Sequence, residues 1–532
     1  MMRILPFGFI RKITSRLLDV KSARGVSFAL MFFMMLSKPL GYVRTLIIAW
    51  AFGTSPGMDA FHAANGVITL FAGGIGGAME SAILPEMGRT RKESGELAYR
   101  SLFAAVVLFI LFLVALSCAT FLLVPGELIR LFASGFDDER VRIGARMIWW
   151  LVPFAIVFML RPLLEVLALL NEKYTLSSIC SLAFNFVAIP ALLFLAPIIG
   201  TYSVAACMSI GQLVTFILFL TALKGVPLIV KISAIPQGCI ARIWANTLYS
   251  LLLTSSSTVF VIVDRYFASR LPMGSVSAIS YGATILGIFH MALVSPLAFF
   301  LSRVSKLALE NRNEARNVAR QTVAIVFAYS LPIGFFTAVT AKPIVSLVFG
   351  WGRFDAHSVE MTATCLLGYN VGLVFAIASS VIYRYAQGLQ RLERMIPLIY
   401  AMVVVNAALD WLMVGRWGLL GLALATSVTQ SLTFIIYYLA VMNDSLWRFF
   451  IESRFFHQLA GVLVCAALIM VSGRFGMRVQ FVYAAAMMLI YLFGAEKAGI
   501  MSSVPPHWRP RALVAFLASN STRARKKRGE SQ

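Results

Sequence analysis

Charged residues, and acidic ones above all, are scarce in this chain. Only 13% of the 532 residues are charged, and 46 Lys and Arg stand against 23 Asp and Glu. Soluble domains carry about 25% charged residues, and a chain that is 60% hydrophobic could not hide so much apolar surface from water. The composition therefore excludes a soluble globular protein and favours one embedded in lipid.

The residues from which metal sites and catalytic centres are built are also rare. The chain has 5 His and 6 Cys, the histidines are scattered, and no Cys-x-x-Cys pair occurs. Phosphate-loop and His-Glu-x-x-His patterns are absent as well. We therefore expect no metal, no cofactor and no enzyme activity. A membrane enzyme such as a glycan polymerase would need a catalytic residue in a long outer loop. The predicted outer loops are short, which argues against it.

Apolar runs of about twenty residues recur along the chain, and each could cross a ~30 Å hydrocarbon layer as a helix. The short alternating strands of a closed barrel are not visible. We predict an all-α membrane protein with about fourteen transmembrane helices. The predicted spans lie near 25–50, 59–86, 101–124, 146–170, 175–197, 201–223, 244–265, 276–302, 321–341, 361–388, 396–414, 418–442, 457–473 and 479–500.

The net charge of +23 lies between the apolar runs and at both ends, which argues against a nucleic-acid surface. Cationic loops mark the cytoplasmic side of membrane proteins. The pattern predicts a bacterial inner-membrane protein with both termini in the cytoplasm. Its basic cytoplasmic segments are then the N-terminus 1–24, the linker 224–243 and the tail 501–532.

The sequence repeats itself with a shift of about 218 residues. Residues 211–220 read GQLVTFILFL, and residues 429–438 read TQSLTFIIYY. Residues 131–137 and 348–355 are also alike. Internal duplication of this kind is typical of transporters.

A shift over six spans keeps both copies in the same membrane orientation. We therefore expect two pseudo-symmetric six-helix lobes, 25–223 and 244–442, related about an axis along the membrane normal, with two added helices in 457–500. Asn185 in the fifth span lies where Asn406 lies in the eleventh, 221 residues later.

Ionised side chains inside the predicted spans are the first candidates for a functional site. Each costs about 2.5–3.5 kcal/mol at the membrane centre, so it should face water, a partner or a substrate. Lys38 and Arg44 flank Pro39 and Gly41, which suggests a bent helix that lines a cationic cavity. The alternative is that both side chains extend to the membrane interface. Asp59 either caps its helix or faces a cation such as Arg44. Two cations point to an anionic cargo such as a diphosphate.

Other polar residues and breakers lie in the remaining spans. Arg161 and Glu165, four residues apart, predict a structural ion pair. Hinge bending or close helix approach is predicted at Gly73, Gly74, Gly76 and Gly77. Further residues that could line a cleft are Glu80, Asp264, Arg265, Asn406 and Asp410.

Four stretches carry a family resemblance: 36–44 (LSKPLGYVR), 58–61 (MDAF), 267–277 (FASRLPMGSVS) with Tyr281 following, and 348–354 (VFGWGRF). The chain resembles the MurJ/MviN family of the MOP flippase superfamily over nearly its whole length. This resemblance implies an alternating-access flippase. Its cargo would be an undecaprenyl-diphosphate-linked saccharide, above all the peptidoglycan precursor lipid II, carried from the cytoplasmic to the periplasmic leaflet.

By the same resemblance, Lys38, Arg44 and Asp59 fall on charged cleft positions that bind substrate. The helices in 457–500 fall where the family forms a groove for the lipid tail. The implied partners are the polyprenyl-diphosphate-linked saccharide and membrane lipids, and glycan polymerase machinery is a further candidate. Nothing in the helices requires more than a monomer.

The chain departs from the family pattern at four positions. Phe71 and Ala72 stand where the family carries an Arg pair, Gly76 where it carries an acid, and Thr284 where it carries a further Arg. One alternative is therefore a flippase for an exopolysaccharide or another surface glycan. A second alternative is an ion-coupled multidrug antiporter of the same superfamily, which would need deep carboxylates such as Asp410.

Overall fold

The computed structural model describes residues 23–223, 238–294, 298–442, 444–472, 476–499, 501 and 509–512. Every regular element in these ranges is helical, so the predicted all-α class is confirmed. Most of the predicted N-terminal segment, linker and tail lies outside the described residues.

The first half of the chain contains two helices that begin with proline, Pro56 and Pro125. Proline suits the first turn, where its missing N–H would have no helical partner anyway. A π-helical turn, Thr69–Gly73, lies between the helices Pro56–Ile68 and Gly74–Glu93. The helices are α1 Ala23–Phe52, α2 Pro56–Ile68, α3 Gly74–Glu93, α4 Gly95–Leu123, α5 Pro125–Phe132, α6 Asp138–Leu170, α7 Leu176–Ile199, α8 Tyr202–Ala222 and α9 Cys239–Ala268.

The second half follows the same pattern of long helices and short connections. A 3₁₀ turn, Leu392–Arg394, precedes its longest helix, and a π turn, Tyr438–Met442, follows it. The helices are α10 Ser275–Val294, α11 Ala298–Glu310, α12 Arg312–Val339, α13 Ala341–Phe349, α14 Ala356–Gly388, α15 Met395–Tyr437, α16 Leu446–Glu452, α17 Phe455–Ser472 and α18 Met477–Lys497.

Ten helices among the described residues are long and apolar enough to cross a membrane, and α16 with α17, bent by 59°, makes an eleventh. The predicted number of about fourteen is thus not confirmed. One reason is α15, which counts once although its 43 residues would extend roughly 65 Å, twice a bilayer core. It is broken at Gly418 (φ 53°, ψ −130°), where the predicted span 418–442 begins. The first predicted span lies on α1 and the second on α2 and α3. These helices are not among those that are long and apolar enough to be counted.

The internal repeat is visible in the backbone. Helices α1 and α9 both have 30 residues, and α6 and α14 both have 33. Gly200 (φ 58°, ψ −137°) ends α7 in the conformation that Gly418, 218 positions later, has within α15. Glu172 and Gln390, again 218 positions apart, are both left-handed, with φ of 60° and 55°. The two copies therefore share helix lengths and connection geometry.

The chain divides into two compact units. The first comprises the described residues up to Ser277, together with Trp351–Phe354. Helix α9 opens the second repeat in sequence but packs against α3 in this unit. There the guanidinium of Arg242 donates to Glu86 at 2.5 Å, and Cys239 lies beside Thr90.

The second unit, which comprises the described residues of 278–350 and those from Asp355 onward, has an aromatic core. The ring of Phe327 lies 5.2–5.8 Å from the rings of Phe375, Phe434 and Phe455. Phe327 and Phe434 are fully buried. These contacts bring α12, α14, α15 and α17 together.

Candidate functional site

A cavity of about 530 Å³ lies within the first unit, between α1, α6, α7 and α8. Its wall combines cations, hydroxyls, amides and aromatic rings. The lining residues are Ser37, Lys38, Gly41, Arg44, Phe154, Phe158, Arg161, Ser177, Ser178, Ser181, Phe184, Asn185, Met208 and Gln212.

Helical periodicity explains why these residues meet. At about 100° per residue, the four lining residues of α1 span an arc of about 120° on that helix. Phe154, Phe158 and Arg161 follow at intervals of four and three on α6, and Met208 and Gln212 are four apart on α8. Each helix therefore turns one stripe toward the cavity.

The two cations predicted in the first span both line this cavity. The guanidinium of Arg44 lies 4.9 Å from the ring centroid of Phe184, a cation–π contact. Its Nη1 is buried with no hydrogen-bond partner among the described residues. Lys38 is exposed, and no ion pair between described residues involves either cation. The cavity therefore has a net positive charge at its α1 wall.

A third cation, Arg161, lies in the same cavity as a member of a polar cluster. Its Nε is 2.9 Å from Glu165 Oε1, and its Nη2 donates to Ser181 at 3.0 Å. The hydroxyl of Ser177 donates to Glu165. The predicted ion pair is present, but sequence reasoning missed that Arg161 faces the cavity. Its signal was the polar stripe of α7, Ser177, Ser181 and Asn185, at intervals of four.

Two amide side chains in the wall have unpaired polar atoms. Asn185 is 6% exposed and Gln212 is 2% exposed. Asn185 donates to the carbonyls of Ser37 and Ser181, but its Oδ1 has no partner within the described part of the chain. The same is true of Gln212 Nε2. Buried polar atoms rarely lack partners, so these are positions where a ligand could bind.

Asp59 does not line the cavity. It is fully buried, and its carboxylate accepts hydrogen bonds from Gly274 N (2.7 Å), Ser277 N (2.8 Å) and Ser277 Oγ (2.7 Å). The nearest cation is Arg140, with Nη1 at 3.9 Å, rather than Arg44. In this structure Asp59 holds the start of α10, and its role in substrate binding stays a prediction.

Arg140 also connects this cluster to the loop before α6. Its Nε lies 2.5 Å from Asp137 Oδ1. This hydrogen bond holds the pKa of the Asp137 carboxyl below its ordinary value. The guanidinium of Arg140 also lies over the ring of Phe136, at 4.6 Å.

The other predicted cleft residues with described side chains are not among those that line the cavity. Arg265 on α9 donates to the backbone oxygen of His62 at 2.9 Å, and its neighbour Asp264 is buried. In the second unit, Asn406 Nδ2 donates to Asp410 Oδ2 at 2.9 Å, and both residues are fully buried. Glu80 lies in α3, but its side chain is outside the described residues.

The predicted hinge residues lie on α1, in the π turn after α2, and on α3. Pro39 lies inside α1, and Gly41 faces the cavity, with no atom within 4 Å of where a Cβ would be. Gly73 ends the π turn, and a Cβ there would lie 3.1 Å from Cε1 of Phe158, a cavity residue. A π turn often marks a functional site. The remaining predicted hinge positions, Gly74, Gly76 and Gly77, lie in α3.

The family model described as "Lipid II flippase MurJ" matches residues 48–494. The chain belongs to the MurJ family. The lipid II flippase MurJ of Burkholderia cenocepacia is 24% identical over 452 residues, which cover 82% of this chain and 87% of the relative. The probable lipid II flippase MurJ of Aquifex aeolicus is 25% identical, covering 64% of this chain and 68% of its own.

Solved structures show the same fold. A lipid II flippase MurJ in an inward closed conformation matches with a TM-score of 0.72 and 20% identity, covering 89% of this chain and 99% of the other. An inward-facing multidrug resistance MATE family transporter of the MOP superfamily matches with a TM-score of 0.65 and 15% identity, covering 78% and 97%. The chain is thus a multi-pass membrane protein with a transporter fold.

Three of the four positions that depart from the MurJ pattern have described side chains, and each of these makes contacts within the helices or is buried. Phe71 packs edge-to-face on Phe121 with ring centroids 5.8 Å apart, and Ala72 is fully buried. Thr284 donates to the backbone oxygen of Ser280 at 2.8 Å. None of these three side chains lines the cavity, so its described cations are Lys38, Arg44 and Arg161.

Metal ligands do not gather in the part of the chain that the structure describes. No group of three or more His, Cys, Asp or Glu side chains there could hold a metal ion.

Proposed function

We propose that this chain is a flippase that carries an undecaprenyl-diphosphate-linked saccharide, lipid II, from the cytoplasmic to the periplasmic leaflet of the bacterial inner membrane. The observation that supports it is the pair Lys38 and Arg44, which line one cavity of about 530 Å³ without an acidic partner in the described chain. Membership of the MurJ family supports the same cargo.

The charge of the cavity suits a diphosphate. A diphosphate diester has two negative charges, and Lys38 with Arg44 offers two positive charges that no described carboxylate neutralises. The guanidinium can make bidentate bonds to phosphate oxygens, and the ammonium acts as a point charge. The pair of charges therefore matches the head group.

The membrane potential supplies a driving force for this step. Moving each negative charge outward across an inside-negative membrane gains about 2.3 kcal/mol per 100 mV. The chain would alternate its access with both termini in the cytoplasm, as the basic loops indicate. The lipid tail would remain in the bilayer along α17 and α18, and no covalent chemistry is required.

The test is complementation of a bacterium depleted of its resident lipid II flippase. The wild-type chain should restore growth and expose lipid II at the periplasmic face. The Lys38→Ala, Arg44→Ala double variant should fail although it reaches the membrane. A matched control is Arg130→Ala, Lys342→Ala, which removes two exposed cations outside the cavity. Full rescue by the Lys38, Arg44 double variant would contradict the proposal.

A second candidate is a flippase for an exopolysaccharide or another surface glycan. The observation in its favour is the replacement of the family arginines by Phe71, Ala72 and Thr284. A wild-type chain that is present in the membrane but does not restore growth would favour this cargo. A multidrug antiporter is less favoured, because the side chains offered by the cavity are cations rather than carboxylates.

A further inference from the structure

The diphosphate leaves much of the cavity wall unused. Besides Lys38 and Arg44, the wall contains a polar cluster of side chains from α6 and α7. Arg161 is held there by Glu165 at 2.9 Å and by Ser181 at 3.0 Å. The guanidinium and the carboxylate cancel in charge, so this cluster adds no net attraction for an anion.

The cluster offers donors and acceptors side by side. Hydroxyl groups of Ser177, Ser178 and Ser181 line the cavity. Asn185 has a buried acceptor without a partner in the described chain, and Gln212 has a buried donor in the same condition. An anion accepts hydrogen bonds and would leave the Asn185 oxygen unpaired. A ligand rich in hydroxyl and amide groups could pair with both.

Aromatic rings complete this wall. The rings of Phe154 and Phe158 stack with centroids 5.2 Å apart and an angle of 19° between their planes. Both line the cavity on the same helix as Arg161. Phe158 lies about one turn before Arg161 and Phe154 about two turns before it. An aromatic face beside neutral hydrogen-bonding groups suits a sugar ring, whose one face is apolar and whose edge carries hydroxyls.

We propose that Arg161, Ser181, Asn185 and Gln212, with the ring of Phe158, form a saccharide subsite for the sugar that is attached to the diphosphate. This inference rests on the proposed function and adds a specificity-determining surface to it. Glu165 is a positioning residue, since it orients the Arg161 guanidinium. The neutral wall then distinguishes a glycosylated lipid diphosphate from the bare lipid diphosphate.

The experiment compares two probes on the full chain in nanodiscs: lipid II and undecaprenyl diphosphate. We expect the wild type to bind lipid II more tightly. Gln212→Met should weaken lipid II binding about 2- to 12-fold, the effect of one neutral hydrogen bond, without weakening undecaprenyl diphosphate. The variant should also be at least as stable as the wild type, because it removes an unpaired buried donor. If Gln212 had a merely structural role, the variant would be less stable.

A second variant keeps the test informative. Arg161→Met, Glu165→Met removes both charges together and should weaken lipid II binding about 10-fold or more. Its matched control is Arg89→Met, Glu93→Met, an exposed pair with the same spacing and a 2.9 Å contact outside the cavity. The control should leave both affinities unchanged.

The outcomes separate this inference from the proposed function. If the wild type binds both probes equally, or if the variants weaken both probes to the same degree, the saccharide subsite is overturned and diphosphate recognition stands. If the folded wild type binds neither probe, the proposed function fails and the subsite fails with it. Selective loss of lipid II in both variants supports the subsite.

Discussion

Asp59 allows a prediction whose size follows from the structure. Its carboxylate accepts three hydrogen bonds of 2.7–2.8 Å from Gly274 and Ser277, with Arg140 at 3.9 Å. Asp59→Asn keeps one oxygen but places an NH₂ group where donors converge. At least one bond to a charged acceptor is lost, worth about 1.5–3 kcal/mol, and the remaining donors lose a charged partner. We expect a loss of about 2–4 kcal/mol in the free energy of unfolding.

Denaturant titration in one detergent, followed by tryptophan fluorescence, measures this difference. The control is Asp138→Asn, because Asp138 pairs with Arg130 at 2.6 Å but its side chain is 82% exposed. Exposed ion pairs contribute less than about 1 kcal/mol, so the control should remain close to the wild type. If Asp59→Asn unfolds within about 1 kcal/mol of the wild type, the carboxylate does not hold this turn and the reasoning is refuted.

Three further predictions follow from the backbone and from one loop. Gly200→Ala and Gly418→Ala should each lower the free energy of unfolding by about 1–3 kcal/mol in the same titration, because both positions have positive φ. No atom lies within 4 Å of a Cβ at either position, so the loss would come from the backbone alone. Stability equal to that of the wild type would contradict this. Gly41→Ala should preserve folding, since its Cβ meets open space, yet reduce transport by placing a methyl group in the cavity; unchanged transport would count against the cavity. Asp137 has a lowered pKa because Arg140 donates to it, so its stabilisation is complete above its ordinary pKa of about 3.9. That stabilisation is lost as the pH falls through the folded-state value, and Asp137→Asn should flatten this part of a stability–pH curve.

Part of the candidate site could be predicted from the sequence because it depends on one helix. Lys38 and Arg44 lie on one span, and helical periodicity places them within the same arc. That α6 brings Arg161 to the same cavity depends on packing between helices more than a hundred residues apart. The pattern of one helix contains no such information, so the sequence predicts mainly a structural role for the pair Arg161 and Glu165.

The fold was predictable to the extent that the lipid environment imposes it. Long apolar runs must be helical because lipid cannot satisfy a free backbone, and the repeat shift could be read from two matching stretches. The sequence separates the predicted spans 396–414 and 418–442 close to the break at Gly418, although both lie on the single helix α15. The packing of α9 against α3 in the first unit was not predicted, since the repeat assigns α9 to the second copy.

Asp59 shows how the repeat could have supplied a distant contact. Its hydrogen-bond partner Ser277 is 218 residues away, the same shift that separates Gly200 from Gly418. Ser277 therefore occupies in the second copy nearly the place of Asp59 in the first, near the start of α10 as Asp59 is near the start of α2. Duplication alone would give both positions the same residue. The two positions now carry an acceptor and a donor to it, so a duplicated sequence should be searched for complementary residues at equivalent positions as well as for identical ones.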